Sequence, residues 1–180
     1  MNTSKPLVLF DFDGVFNPVG KTETDMPVLD DHLQQIIKLP FGYGIFSDMI
    51  VHVNQVNIDF FNNLTLNSAL EVKWLTTWQQ DTELFPEALN FKPAPWVKAE
   101  ADPERLLQPK EARKWWKLYT IQNIVKSNPK TNILWVDDDI NDDMETISWL
   151  AATKTVQALV PNYLKGLTLE DRELITKFIS

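Results

Sequence analysis

Two carboxylates one residue apart, Asp11 and Asp13, follow directly on the apolar run Leu7-Val8-Leu9-Phe10. Alternation along an extended chain sends both to the same side, and Gly14 allows a backbone turn that a side chain would obstruct. Like charges this close call for a cation or a shared proton. A larger acidic group, Asp137-Asp138-Asp139 with Asp142-Asp143, follows a second apolar run, Ile133-Leu134-Trp135-Val136, and Thr76-Thr77 closes a third, Glu71-Val72-Lys73-Trp74-Leu75. Each has a plainer reading on its own. Asp11 and Asp13 would cap amides in an exposed turn, and the later acids would cap a helix N-terminus with a favourable dipole.

The elements that would position these residues favour chemistry. A short unbroken apolar run is what a strand buried on both faces of a parallel sheet looks like, and in such sheets ligands sit outside the carboxyl ends of the strands. The three strongest strands end in Asp-x-Asp, Thr-Thr and Asp-Asp-Asp, a shared placement that scattered acids would not produce. Between them the spacing predicts a short helix over Asp30 to Leu39, with Leu33, Ile36 and Ile37 on one face and Pro40 at its end. A strand or hairpin arm follows over Ile50 to Val53, then a helix capped by Asn57 with Ile58, Phe61 and Leu64 inward. A helix from Trp78 to Phe85 stops near Pro86, and Phe91 to Pro109, with four prolines, reads as loop. Leu118, Ile121, Ile124 and Val125 mark an amphipathic helix from about Lys110 to Lys126. A last strand spans Val156 to Val160, and Thr168 caps a closing helix with Leu174, Ile175 and Phe178 toward the core. Strands alternating with helices give the fold class: α/β, a Rossmann-like parallel sheet flanked by helices. Residues 16–55 form a small cap or flap after the first strand, without a large cap domain.

At 180 residues the chain suits a single domain, 1–180, with a well-buried core. A formal net charge of −8 works against strong non-specific binding of nucleic acid. The absence of cysteine excludes disulfides, thiolate metal sites and a Cys nucleophile. Met1 to Pro6 leads straight into the first strand with no room for a secretion signal, and no run reaches the length of a membrane span, so the expectation is a cytoplasmic protein without membrane contact. Seven tryptophans are many for this length, but Trp74, Trp96, Trp115, Trp116, Trp135 and Trp149 lie among apolar neighbours and suit core or pocket packing better than a platform for bases. His32 and His52 fit no metal or triad spacing, and Gly42-x-Gly44 lacks the third glycine of a dinucleotide fingerprint.

Asp11-Phe12-Asp13-Gly14-Val15 after one strand, Thr76 closing a second, a lysine in the next helix and Asp137-Asp138 closing a third resemble the four motifs of the haloacid dehalogenase-like hydrolase superfamily. Trp74-Leu75-Thr76-Thr77-Trp78, Trp116-Lys117, Trp135 to Asp139 and Gly166-Leu167-Thr168 look like the haloacid dehalogenase domains of Swiss Army Knife RNA repair proteins. The resemblance implies a Mg²⁺-dependent phosphatase working through an aspartyl-phosphate. Asp11 would attack and Asp13 would protonate the leaving oxygen, then deprotonate water. Mg²⁺ would be held by Asp11, the backbone carbonyl of Asp13 and a third-strand carboxylate, Asp138 first, then Asp137, with Asp142 direct or through water. Thr76, or Thr77 one residue on, would hold a phosphoryl oxygen, and the cation would be Lys117, Lys114 or Lys110. The substrate would be a phosphorylated small molecule such as a nucleotide, or a nucleic-acid end. A non-catalytic phosphate- or partner-binding domain is the competing expectation.

Overall fold

A computed structural model describes residues 5–42, 45–99 and 115–180. In chain order the elements are β1 (Leu7–Phe10), β2 (Leu33–Gly42), β3 (Ile45–Val53), α1 (Gln55–Leu66), β4 (Glu71–Trp74), α2 (Phe85–Leu89), α3 (Trp116–Ser127), β5 (Ile133–Val136), α4 (Met144–Ala152), β6 (Val156–Leu159) and α5 (Leu169–Ile179). Four strands form a wholly parallel sheet in the order β4-β1-β5-β6, and β2 and β3 form a separate antiparallel hairpin. No described helix is long and apolar enough to cross a membrane.

Period-two alternation divides the core. Val8, Phe10, Val72, Trp74, Leu134 and Val136 point to one face, where Ile58, Phe61 and Ile175 cover them. Leu7, Leu9, Ile133 and Trp135 point to the other, against Ile121 of α3 and the partly buried Trp149 and Leu150 of α4. A sheet covered on both faces has no use for polar side chains, which is why β1 and β5 read as unbroken apolar runs.

Chain order reverses at the middle of the sheet. From β1 the chain goes to β4 on one side, then returns to β5 on the other and continues outward to β6. The carboxyl ends of β1 and β5 therefore flank the crevice where parallel sheets bind ligands. Asp11 and Asp137 sit on the last rung of that ladder: the Asp11 N–H donates to the Val136 carbonyl at 2.9 Å and the Asp137 N–H to the Leu159 carbonyl at 3.1 Å.

Residues 30–39 are not helical. Leu33 to Gly42 pairs along its length with Ile45 to Val53, with Ile36 opposite Ile50 and Ile37 opposite Met49, and Pro40 falls where the register shifts. The spacing of Leu33, Ile36 and Ile37 fits a helical face, but only Ile37 is buried, while Leu33 and Ile36 remain about half exposed. The partner strand satisfies the backbone that a helix would otherwise have satisfied, and β-branched side chains tolerate the pleat well.

Other boundaries move for local reasons. Asn54, not Asn57, caps α1, accepting from the Val56 N–H at 2.8 Å. Asn57 is buried instead and donates to the Leu167 carbonyl at 3.0 Å. Pro86 starts a helix rather than stopping one: Gln79 to Leu84 is a 3-10 turn, and Pro86 stands in the first turn of α2, where its missing N–H costs nothing. In α5, Ile175 is buried and Phe178 packs against the core, but Leu174 is exposed. Thr168 caps α5 as expected, in a reciprocal capping box with Asp171.

Candidate active site

The alternation that sorts the core also sorts the acids. Odd-numbered positions of β1 and β5 face α3, so Asp11 and Asp137, one step past each strand, meet the first turn of that helix. Lys117 enters there. Its Nζ donates to Asp11 Oδ2 at 2.5 Å and to Asp137 Oδ2 at 2.7 Å, with the side chain almost wholly buried. Burial opposes the ammonium charge, but the Asp11 and Asp137 carboxylates beside it hold its pKa well above the ordinary lysine value. The Trp115 and Trp116 rings lie 5.3 and 5.9 Å from the nitrogen and help shield it.

Each carboxylate is held differently. Asp11 Oδ1 accepts from the Phe12 N–H at 2.7 Å, which leaves the group fixed by one amide and one ammonium. Asp137 accepts one bond more than Asp11: Oδ2 also accepts from Trp135 Nε1 at 3.1 Å, and Oδ1 from the Asp139 N–H at 3.0 Å. Burial, then the adjacent Asp11 charge, pushes the Asp137 carboxyl up. Asp138 points to the opposite side, against the Cα of Gly14, and burial followed by the Asp139 charge pushes it up to about 6. One carboxylate oxygen from each of Asp11, Asp137 and Asp138 lies within 4.8 Å of the other two. Three buried carboxylates around so small a space offer the hard oxygen donors that suit Mg²⁺, and Gly14 keeps open the space that Asp138 occupies. Since Asp137 already accepts three hydrogen bonds, Asp11 and Asp138 retain the greater capacity for a metal.

Asp13 lines the same cleft as Asp11, but its side chain is not one of the trio. Its Oδ1 accepts from Asn17 Nδ2 at 2.7 Å and its Oδ2 from Trp78 Nε1 at 2.8 Å. Burial raises its pKa against the pull of those two donors. Phe12, between the two acids, points away into an aromatic cluster with Trp74, Trp78 and Phe85. Such ring pairs contribute about 0.5–1.5 kcal/mol each beyond area burial, and here they anchor the backbone that carries both carboxylates.

Thr76 is buried, its hydroxyl accepting weakly from the Trp78 N–H at 3.4 Å, whereas Thr77 is exposed and lines the cleft. Asp142 stands at the rim outside the trio, and Asp143 caps α4 through the Thr146 N–H at 2.9 Å. Lys114 and Lys110 lie outside the described residues, and Lys117 reaches the acids.

Sequence reasoning missed three site residues. Lys21, from the loop after β1, reaches Asp138 at 3.1 Å, Asp139 at 2.7 Å and Asp142 at 2.8 Å, and burial of its ammonium is outweighed by these acids, which raise its pKa. A lone lysine in a polar loop carries no signal of such a contact. Asn17 also bridges two elements, accepting from the His52 N–H of β3 at 2.8 Å while it holds Asp13. Trp78 is the third, and its place directly after Thr76-Thr77 was the one available hint.

The cleft itself is a cavity of about 290 Å³ walled by Asp11, Asp13, Lys21, Thr77, Lys117 and Asp138. The larger cavity of about 750 Å³ lies at the opposite end of the sheet, beside Leu7 and Glu71, where the strands begin. Position at the carboxyl ends and the density of ionisable groups, not volume, mark the smaller one as the candidate site. No protein-family model matches the chain, and no curated protein matches its sequence.

Proposed function

We propose that the protein is a Mg²⁺-dependent phosphomonoester hydrolase of the haloacid dehalogenase-like kind, working through an aspartyl-phosphate on Asp11. The observation that carries this reading is the pairing of Lys117 with Asp11 and Asp137 at the switch point of the sheet, beside Asp138. A lone Asp-x-Asp turn would not need a buried ammonium.

Asp11 Oδ2 attacks phosphorus while the bond to the leaving oxygen breaks, and protonated Asp13 gives its proton to that oxygen. Burial shifts the Asp13 pKa in the direction that favours its protonated form, the direction a general acid needs. In the second half, Asp13 takes a proton from water as the water oxygen attacks phosphorus. The Asp11–phosphorus bond breaks, and the products are the alcohol and inorganic phosphate. Lys117 orients Asp11 and offers positive charge to the phosphoryl oxygens, and the Thr76-Thr77 turn, with Thr77 at the wall, supplies hydrogen-bond donors. Asp11 and Asp138, with the Asp13 carbonyl, would hold Mg²⁺, which when bound would offset repulsion between the carboxylates and an incoming dianion. Asn17 and Trp78 keep the Asp13 carboxyl turned toward the leaving group.

The test is turnover of an aryl phosphate with Mg²⁺, which should be absent in Asp11→Asn and after chelation. Retained activity in folded Asp11→Asn would defeat the proposal. Beryllofluoride binding with no turnover of any phosphomonoester would instead favour a phosphate-binding domain.

A further inference from the structure

A second cavity, of about 430 Å³, opens beside the acidic cleft on the far side of Asp13. Asp13, Val19 and Thr77 line both, so the two spaces adjoin at the residue assigned to protonate the leaving oxygen. Their chemistry differs sharply. The acidic cleft is walled by charge, whereas the second space is lined mainly by Val19, Leu39, Met49, Ile50 and Trp78. Its polar lining is Asn17, Thr77 and the carboxylates Asp13 and Asp81, with no cation among the described residues. Leu39 and Met49 come from one face of the β2–β3 hairpin, which the Asn17 contact to the His52 N–H docks beside the site.

We infer that this hairpin-walled space receives the leaving group, and that the substrate is the phosphomonoester of an uncharged, largely apolar alcohol. The inference rests on the phosphatase reading and sharpens it. A phosphate in the acidic cleft directs its ester oxygen past Asp13, and everything attached to that oxygen then meets Leu39, Met49 and Trp78. An apolar group gains there by leaving water, and thioether and indole surfaces suit a flat ring in particular. A second phosphate or a nucleic-acid backbone lying in this space would instead meet the carboxylates Asp13 and Asp81, with no cation among the described residues of its lining.

The experiment compares 2-naphthylmethyl phosphate, glycerol phosphate and a 3′-phosphorylated oligonucleotide with Mg²⁺ present, in wild type and in Met49→Ser and Leu39→Ser, with Leu174→Ser on exposed α5 as a control. The two small substrates both release an alkanol, so their leaving groups are matched, and a kcat/KM ratio of about tenfold or more for naphthylmethyl over glycerol phosphate is expected from burying the ring. That ratio should fall toward unity in both hairpin variants and stay at the wild-type value in Leu174→Ser. Direct binding of the product 2-naphthylmethanol, measured by its own fluorescence in chelator, should weaken in the same two variants, which separates the pocket from the chemistry. Turnover with no preference, a preference that survives both substitutions, or a preference for the oligonucleotide would overturn the pocket assignment while leaving the phosphatase standing. Failure of all three substrates to turn over would overturn the phosphatase reading, and the leaving-group assignment with it.

Discussion

A Cβ added to Gly14 would fall 2.1 Å from Oδ1 of Asp138, so the turn after β1 and the acid after β5 share one space. Gly14 also has φ of +72°, in the left-handed region where a side chain costs about 1–2 kcal/mol. Gly14→Ala should therefore lose stability by at least that amount and displace Asp138 from the carboxylate trio. Isothermal titration should show Mg²⁺ affinity reduced about tenfold or more, equivalent to about 1.4 kcal/mol. Unchanged affinity in a folded variant would mean that Asp138 does not hold the metal.

Lys117 is a buried charge with two buried partners, so its removal is expected to be costly. Breaking such a pair typically costs about 3–5 kcal/mol, because the remaining charges keep their desolvation penalty without compensation. Lys117→Met should lose that order of stability in denaturant unfolding and should have no phosphatase activity. Its deficit should shrink as pH is lowered, because Asp137, already pushed up by burial and Asp11, can then take a proton and relieve the repulsion. A deficit independent of pH would show that the two acids are not sharing the Lys117 charge.

The sheet was legible because burial on both faces leaves an unambiguous apolar run, and the acids were legible because each follows such a run. The same rule placed Asp11, Asp137 and Asp138 at neighbouring strand ends. The hairpin was not legible, because Leu33, Ile36 and Ile37 satisfy a helical period and nothing local reveals that Ile45 to Val53 will pair with them. Lys21, Asn17 and Trp78 were hidden for a related reason. Their contacts to other elements are long-range, Lys21 to Asp142 across 121 positions, Trp78 to Asp13 across 65 and Asn17 to His52 across 35, which no local pattern encodes.

Lys21 competes for the charge that a metal would use. Its ammonium touches Asp138, one of the trio, along with Asp139 and Asp142, and lies 4.9 Å from the Tyr163 ring centroid. Removing it leaves the acids more negative, so Lys21→Met should bind Mg²⁺ more tightly, by roughly tenfold for a unit charge about 6 Å from a divalent ion screened at close to the dielectric of water, about 80. Stability should change by less than about 1 kcal/mol, since the side chain and two of its partners are solvent-accessible. Weaker Mg²⁺ binding in this variant would instead make Lys21 a support that holds Asp138 in place.

Mild acid should act through His32, whose two ring nitrogens are shielded and have no hydrogen-bond partner among the described residues. Burial, then the nearby His52, lowers its pKa, while Asp31 pulls the other way. The neutral ring is thus favoured in the folded state. As pH falls through about 6.5 the unfolded chain takes up the proton first, so this group's contribution is intact above that pH and is lost as pH drops toward the folded pKa. Asp138 has the opposite sign: its folded pKa of about 6 exceeds its ordinary value, so acid relieves its desolvation and favours the folded state. The informative quantity is therefore the difference in melting temperature between wild type and His32→Gln, measured without metal between about pH 7.5 and 5.5. Wild type should lose more than the variant across that interval. Parallel curves would show that His32 is protonated as readily in the folded chain as in the unfolded one.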